Sequence, residues 1–281
     1  MCRPICCFQL RRLLKRWKNN VACLHGRKRF LYFEIQSTFS TMFYSTHTVE
    51  DERYPTISSS QGEGLRALAL LTGTCLTLTV ARGMLSHNWW FFICLTWNLF
   101  LAWFPLGVLL VWRDLRASGL LGRGRLAFRL SGWGALALWL LFMPNAPYII
   151  TDLFHIRSVG PELVYFDTLT IFLGAATGLL AGLYSSLLAH RMLLALTPAL
   201  LVQPLIVWAV VLGCQLLAGF GIYLGRFIRW NSWDLVTNPL LLSRSLWRAM
   251  QEPFAQKVTL TYGLPLAVLY IAFYLYATKK R

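Results

Sequence analysis

Apolar residues fall into long runs along this chain, and short segments that carry most of the charge separate the runs. A helix needs about 20 consecutive apolar residues to cross the hydrocarbon core of a bilayer. Six runs approach or exceed that length, so we predict an all-α, polytopic bundle of about six transmembrane helices. The predicted spans lie near 65–81, 89–112, 133–150, 166–189, 201–224 and 258–277.

The third run is interrupted near its end by two prolines, Pro144 and Pro147, with Asn145 between them. Proline lacks a backbone donor and clashes with the preceding turn, so we predict a break or kink in this helix. In lipid, the carbonyl groups that the prolines free need partners. Asn145 either satisfies those carbonyls or belongs to a binding site, and both interpretations stay open at this point.

A shorter amphipathic segment follows the fifth run. Asn238 and Pro239 are typical of a capped helix start, and apolar residues then alternate with Arg244 and Arg248. Because the two arginines are four residues apart, they share one face of a helix. We predict an amphipathic helix between spans five and six that lies in the membrane interface, with its arginines toward lipid head groups.

The composition of the 281-residue chain is far from that of an ordinary soluble domain. Hydrophobic residues make up 57% of it and charged residues only 14%, whereas soluble domains carry about 25% charged residues. Aromatic side chains fall at the span ends, where interfacial anchors are typical. These residues are Trp89, Trp90, Trp112, Trp133, Tyr165 and Tyr223. We therefore predict a multi-pass protein of the cell membrane.

Basic residues set the predicted orientation, because Lys and Arg are enriched in cytoplasmic loops. The second loop is rich in arginine and contains Arg113, Arg116, Arg123, Arg125 and Arg129. We place this loop and the N-terminus in the cytoplasm, which puts Arg82 of the first loop outside. The fifth loop departs from the rule, since its arginines would also lie outside.

The formal net charge of +16 lies largely beside the spans, where attraction to anionic lipid head groups explains it. We predict the lipid bilayer and its anionic head groups as partners, with a membrane protein as a further option and no nucleic acid. Cys75, Cys94 and Cys214 fall singly inside spans, and no Cys or His pair has the spacing of a metal site. The sequence therefore predicts neither a metal site nor a cofactor.

Residues 1–64 differ from the rest of the chain. Residues 1–41 carry nine Lys or Arg, one Glu and four Cys without a sustained helical or strand pattern. Such a composition does not build a core, so we predict a disordered basic and polar tail ahead of a membrane domain at 65–281. An overlong gene model, with Met42 as the true start, is the alternative explanation for residues 1–41.

Span parity brings polar residues from three stretches to one face of the membrane, which we predict to be the outer face. Asn145, Asp152 and His155 lie at or beyond the outer end of the third span, and Asp167 begins the fourth. The fifth span ends beside Arg226, Arg229, Asn231 and Asp234. Arginine binds phosphate or carboxylate in two-point fashion. We therefore predict that these eight residues form a site for an anionic or lipid-phosphate ligand.

Other interpretations of the same residues stay open. Asp152 would also cap a short helix or pair with an arginine, and Asp152, His155, Asp167 and Asp234 would together suit a divalent metal. Trp230 and Trp233 are typical of interfacial anchors.

Three segments resemble a bacterial multi-pass membrane family catalogued as domain of unknown function 1361. They are residues 95–106, 142–156 and 220–234, and the Trp-Asn-Ser-Trp-Asp run at 230–234 is the most specific of them. The resemblance covers roughly residues 65–276. It implies a multi-helix protein of a bacterial inner (plasma) membrane, without an established activity.

Three classes of function compete. The first is a binding or transport-type protein whose polar site lies at the outer end of spans three to five. A broken third span favours it, because unwound helices line substrate sites in transporters. The second is a membrane-embedded enzyme that acts on lipid-linked or envelope substrates. The third is a scaffold that docks a partner in the membrane.

Overall fold

The computed structural model describes residues 59–87, 89–121, 124–158, 163–197, 202–230 and 234–279, and for residues 59–61, 155–158 and 235–236 it describes the backbone alone. These residues are almost entirely helical. The long helices are α1 (Ser59–Ser86), α2 (Trp90–Ala117), α3 (Arg125–Phe142), α5 (Val164–Leu196), α6 (Gln203–Tyr223) and α9 (Pro253–Thr278). The shorter elements are α4 (Asn145–Tyr148), a 3₁₀ helix (Ile149–Ser158), a π turn (Leu224–Ile228), α7 (Asp234–Thr237) and α8 (Pro239–Gln251).

Six helical stretches in the described part are long and apolar enough to cross a membrane, which confirms the predicted six-span bundle. They are Gly62–Ser86, Trp90–Ala117, Arg125–Phe154, Val164–Leu196, Gln203–Ile228 and Pro253–Thr278. Most of them extend beyond the predicted bounds because polar residues continue the helices past their apolar centres. Helix α1 begins at Ser59, inside the segment that was assigned to the tail.

The fourth span, on α5, is the centre of the bundle. In its most apolar window 67% of the residues are buried, against 22% in spans one, three and six. Small residues occupy much of its buried surface, and they let neighbouring backbones approach closely where lipid offers no hydrophobic driving force for packing. This central helix therefore contacts spans one, two and three as well as spans five and six.

The broken third span is held between glycine faces of two helices. Helix α3 ends at Phe142, and α4 follows after Pro144. A Cβ at Gly178 of α5 would lie 2.6 Å from the Ala146 carbonyl oxygen, and one at Gly221 of α6 would lie 2.5 Å from Cβ of Pro144. Any larger residue at either position would push the break outward. The break is thus enclosed by protein, as irregular backbone at membrane depth requires.

Helix α8 has the predicted amphipathic pattern. Leu242 and Ala249 are buried against the bundle, while Trp247 and Met250 are exposed beside the arginine face. Pro239 occupies the first turn as expected, but Asn238 does not cap the helix. Its amide Nδ2 instead donates to Thr237 Oγ1 over 3.3 Å. The location of α8 in a membrane interface stays a prediction.

Different polar residues lie toward the two ends of the bundle. Asp152, Asp167 and Arg226 lie toward one end, the Asp152 end, whereas His190 lies toward the other, the His190 end. Because α5 rises about 1.5 Å per residue, Asp167 and His190 are separated along it by roughly the thickness of a bilayer core.

Candidate functional site

Arg226 links the end of the fifth span to the broken third span. It lies in the π turn that follows α6, a type of irregularity that is frequent at functional sites. Its Nη2 donates to the Thr151 carbonyl oxygen over 3.1 Å, and its Nη1 lies 3.6 Å from Asp152 Oδ1. Gly225 lets the π turn lie close to the broken third span, because a Cβ at this position would lie only 3.1 Å from the Tyr148 ring.

Asn98 of the second span also contacts Asp152. Its Nδ2 donates to Asp152 Oδ2 over 2.7 Å, so the two carboxylate oxygens face two different partners. Asn98 was not among the predicted site residues. An amide within an apolar run needs a hydrogen-bonding partner inside the bundle, but the sequence does not indicate which residue that partner is.

Asp167 belongs to a separate ion pair. Arg82 of α1 donates to both of its oxygens, from Nε over 2.6 Å and from Nη2 over 3.0 Å. The Arg82 guanidinium also lies over the Phe91 ring, 5.6 Å from its centroid. The Asp167 side chain is fully buried. Arg82 was expected to be an outer-loop charge, but it lies in the last turns of α1 and joins the first span to the fourth.

The remaining predicted residues occupy different positions at this end. Asn145 begins α4 and is half-buried within the break. Arg229 is exposed and adopts the left-handed conformation with φ of 65° as the π turn ends. Asp234 begins α7, where its Oδ1 accepts a hydrogen bond from Thr237 Oγ1 over 3.3 Å.

Trp230 is half-buried beside the π turn. The side chain of His155 and the residues Asn231 and Trp233 lie outside what the structure describes. Their predicted roles stay predictions.

The proposed carboxylate grouping around a metal does not match the described geometry. Asp152 and Asp167 each face a different arginine. Within the described residues, moreover, three or more His, Cys, Asp or Glu side chains do not cluster as metal ligands would. Each of these two carboxylates therefore pairs with an arginine guanidinium.

An open cleft of about 350 Å³, lined mainly by apolar side chains, lies beside the 3₁₀ helix that carries Asp152. Ile150, Leu153 and Phe154 of the 3₁₀ helix line one wall, and Tyr262 of the sixth span lines the other. In the sequence, Ile150 precedes Thr151 and Asp152, and Leu153 and Phe154 follow them. One short segment therefore serves both the apolar cleft and the polar cluster.

A second polar group, which the sequence analysis missed, is buried toward the His190 end. His190 Nδ1 and Tyr270 Oη lie 2.8 Å apart, and the imidazole also packs against Trp208 and Tyr274 with ring centroids 4.9 Å and 5.0 Å away. One turn along α5, Ser186 accepts a hydrogen bond from Gln215 over 3.0 Å. These polar and aromatic contacts join spans four, five and six.

Six apolar helices with paired polar side chains between them define a polytopic helical membrane protein. A family model described as "Protein of unknown function (DUF1361)" matches residues 97–274. The chain belongs to this family, which confirms the predicted resemblance. The matched range includes Asn98, Asp152, Asp167 and Arg226 but not Arg82. Searches among curated proteins and among solved structures found no match.

Proposed function

We propose that this protein is a membrane-embedded binding or transport-type protein that recognises an anionic group, such as a lipid phosphate, at its Asp152 end. Arg226 is the principal recognition residue. The observation that supports this proposal is the position of its guanidinium, which is anchored on the Thr151 carbonyl beside a carboxylate that Asn98 also binds. We expect this end of the bundle to face the outside of the cell.

The loose contact between Arg226 and Asp152 suits an exchangeable partner. Charge-assisted hydrogen bonds between arginine and carboxylate are typically about 2.7–2.9 Å long, whereas Arg226 Nη1 and Asp152 Oδ1 are 3.6 Å apart. The Arg226 side chain also keeps 20% of its surface exposed. An incoming phosphate can therefore share the guanidinium with Asp152, while the Thr151 carbonyl keeps the side chain in place.

Arg229 supplies a second positive charge to the same site. It follows Arg226 by three residues and is exposed, and the left-handed backbone at Arg229 turns the chain at the end of the span. Two arginines so placed would attract an anion at the membrane surface. We assign Arg229 to capture of the anion and Arg226 to its recognition.

The described contacts favour binding over the two alternatives. An enzyme on lipid-linked substrates would need a carboxylate available for proton transfer or metal binding, with Asp152, Asp167 and Asp234 as the candidates. Asp152 and Asp167 both face arginines, and Asp234 accepts a hydrogen bond from Thr237 at the start of α7. A scaffold would need a docking surface for a partner, and the described residues do not indicate which partner would fit. Binding of an anion uses the arginines in the arrangement that they have.

Lipid binding by purified full-length protein tests the proposal. The protein is placed in nanodiscs of phosphatidylcholine, and retention of added phosphatidic acid with the same chains is followed by native mass spectrometry. Arg226→Gln should weaken retention at least about tenfold, because a hydrogen bond to a charged group contributes about 1.5–3 kcal/mol. Arg129→Gln, an exposed arginine near the start of α3 toward the His190 end, is the matched control and should retain the lipid normally. Equal retention by Arg226→Gln and wild type would refute the proposal.

A further inference from the structure

One 3₁₀ helix lines the apolar cleft and also carries Thr151 and Asp152, the two residues that Arg226 contacts. Such a helix has three residues per turn, so residues three apart lie above one another. Ile150 and Leu153 consequently share a face, and both line the cleft. Asp152 occupies a different face of the same turn, toward Asn98 and Arg226. The cleft is therefore the immediate apolar neighbour of the proposed anion site.

The cleft lies between two peripheral spans. It is bounded by the end of span three and by Tyr262 of span six, and both spans have only 22% of their most apolar window buried. Phe154 on the rim keeps 56% of its surface exposed. An open apolar cleft between peripheral helices faces the bilayer, where the surrounding medium is acyl chain.

We propose that this cleft holds an acyl chain of the anionic ligand, so that in the membrane the site takes an anionic phospholipid in preference to a free anion. This inference rests on the proposed function of Arg226. The phosphate would lie at the guanidinium and one chain would run from there along Leu153 and Ile150 toward Tyr262. The volume of about 350 Å³ is near the lower end of the roughly 300–1,000 Å³ of small-ligand sites, which fits part of one chain.

The two halves of the site would contribute differently to selection. Lipid tails are as apolar as leucine, so moving a chain from the bilayer into the cleft releases little hydrophobic free energy. The cleft therefore orients the lipid and excludes chains that do not fit, whereas Arg226 selects the charge of the head group. Filling the cleft should exclude the lipid without removing the affinity for phosphate itself.

The experiment compares two variants and two probes on the full chain. Leu153→Trp fills the cleft, and Arg226→Gln removes the guanidinium. The probes are phosphatidic acid, followed by native mass spectrometry, and inorganic phosphate, followed by a shift in thermal unfolding in detergent. We expect Leu153→Trp to lose phosphatidic acid about tenfold or more but to keep the phosphate shift, and Arg226→Gln to lose both. Leu130→Trp on the lipid-exposed surface of α3 is the control and should behave as wild type.

The failures of the two proposals are distinguishable. Normal phosphatidic acid retention by Leu153→Trp would overturn the cleft assignment and leave the anion site standing, whereas unchanged binding of both probes by Arg226→Gln would overturn the anion site. A photoreactive group in the acyl chain provides a second measurement on the wild-type chain. Crosslinks should concentrate at residues 150–154 and Tyr262. Crosslinks spread evenly over all lipid-exposed spans would also overturn the cleft assignment.

Discussion

Two arginine–aspartate pairs lie at the Asp152 end of the bundle, and they are built differently. Arg82 and Asp167 form two short contacts of 2.6 Å and 3.0 Å, with side chains 12% and 0% exposed. Arg226 and Asp152 approach only to 3.6 Å, with side chains 20% and 13% exposed. Asp152 also accepts a hydrogen bond from Asn98. The first pair is closed and two-pronged, whereas the second pair is open and shares its carboxylate.

The difference separates a structural role from a binding role. A fully buried carboxylate is tolerated only with complete pairing, because a lone charge in a low-dielectric interior is expensive. Arg82 meets that demand and fixes span one against span four. Arg226 and Asp152 remain partly exposed, so that neither depends wholly on the other. A ligand can compete for the second pair but not for the first.

The largest predicted effect is the loss of the closed pair. Asp167→Ala leaves the Arg82 guanidinium buried without its counter-charge, and breaking a buried pair in this way costs about 3–5 kcal/mol. We expect a correspondingly large loss in the free energy of unfolding, measured by detergent-mediated unfolding of the purified protein.

Asp114→Ala is the control for this prediction. Asp114 also contacts an arginine, at 2.6 Å from Arg113, but its side chain is 66% exposed. Its removal should change the free energy of unfolding by less than about 0.5 kcal/mol. Similar losses for the two aspartate variants would mean that burial does not distinguish these pairs.

The next effect concerns the glycine contact that positions the open pair. Gly221→Ala places a Cβ 2.5 Å from Cβ of Pro144, and overpacking of this kind costs about 1–3 kcal/mol. It should also move the break away from α6, so that phosphatidic acid retention falls with stability. Gly213→Ala on the same helix is the matched control, because a Cβ there meets nothing within 4 Å. A Gly221→Ala protein with normal stability would show that the break is not held by this contact.

A pair of double-mutant cycles compares the two ion pairs directly. Arg226→Gln with Asp152→Asn should give a coupling energy below about 1 kcal/mol, as is typical of partly exposed pairs. Arg82→Gln with Asp167→Asn should give about 2–3 kcal/mol, toward the upper end for residues in contact. Each cycle is measured from the free energies of unfolding of four proteins: wild type, the two single variants and the double variant. Equal coupling energies would remove the distinction between a closed and an open pair.

Much of the architecture could be predicted because it depends on local properties of the chain. The length of an apolar run determines whether a helix can span a bilayer, and Pro144 and Pro147 interrupt the helix in which they lie. Counting the spans then placed Asp152 and Arg226 toward the same end of the bundle. That prediction needs only the direction of each helix and no knowledge of packing.

The partners within that end could not be predicted from span counting. Asp167 was grouped with Asp152, but its partner Arg82 lies 85 residues away on a helix that continues past its predicted end. Asn98 was missed because a single amide in an apolar run has no neighbours in the sequence that mark its role. The rotation of each helix about its own axis decides such pairings, and that rotation follows from packing against α5. The spans are almost uniformly hydrophobic, so their pattern does not specify which face of a helix packs against α5.

The smallest predicted effect tests why the second pair is open. Asn98→Leu removes one side-chain hydrogen bond to Asp152, and such bonds inside membrane bundles average about 0.6 kcal/mol. Stability should therefore change little. Without Asn98 the Asp152 carboxylate loses a hydrogen bond that competes with Arg226 and should move toward that guanidinium, so we expect phosphatidic acid retention to fall several-fold. In Asn98→Asp, the new carboxylate repels Asp152 and also competes with it for the Arg226 guanidinium. This variant should therefore keep Asp152 from closing on Arg226, but less selectively than Asn98 does. A loss of stability in Asn98→Leu comparable to that in Asp167→Ala, with lipid retention unchanged, would show that Asn98 only holds the helices together and does not keep Asp152 shared.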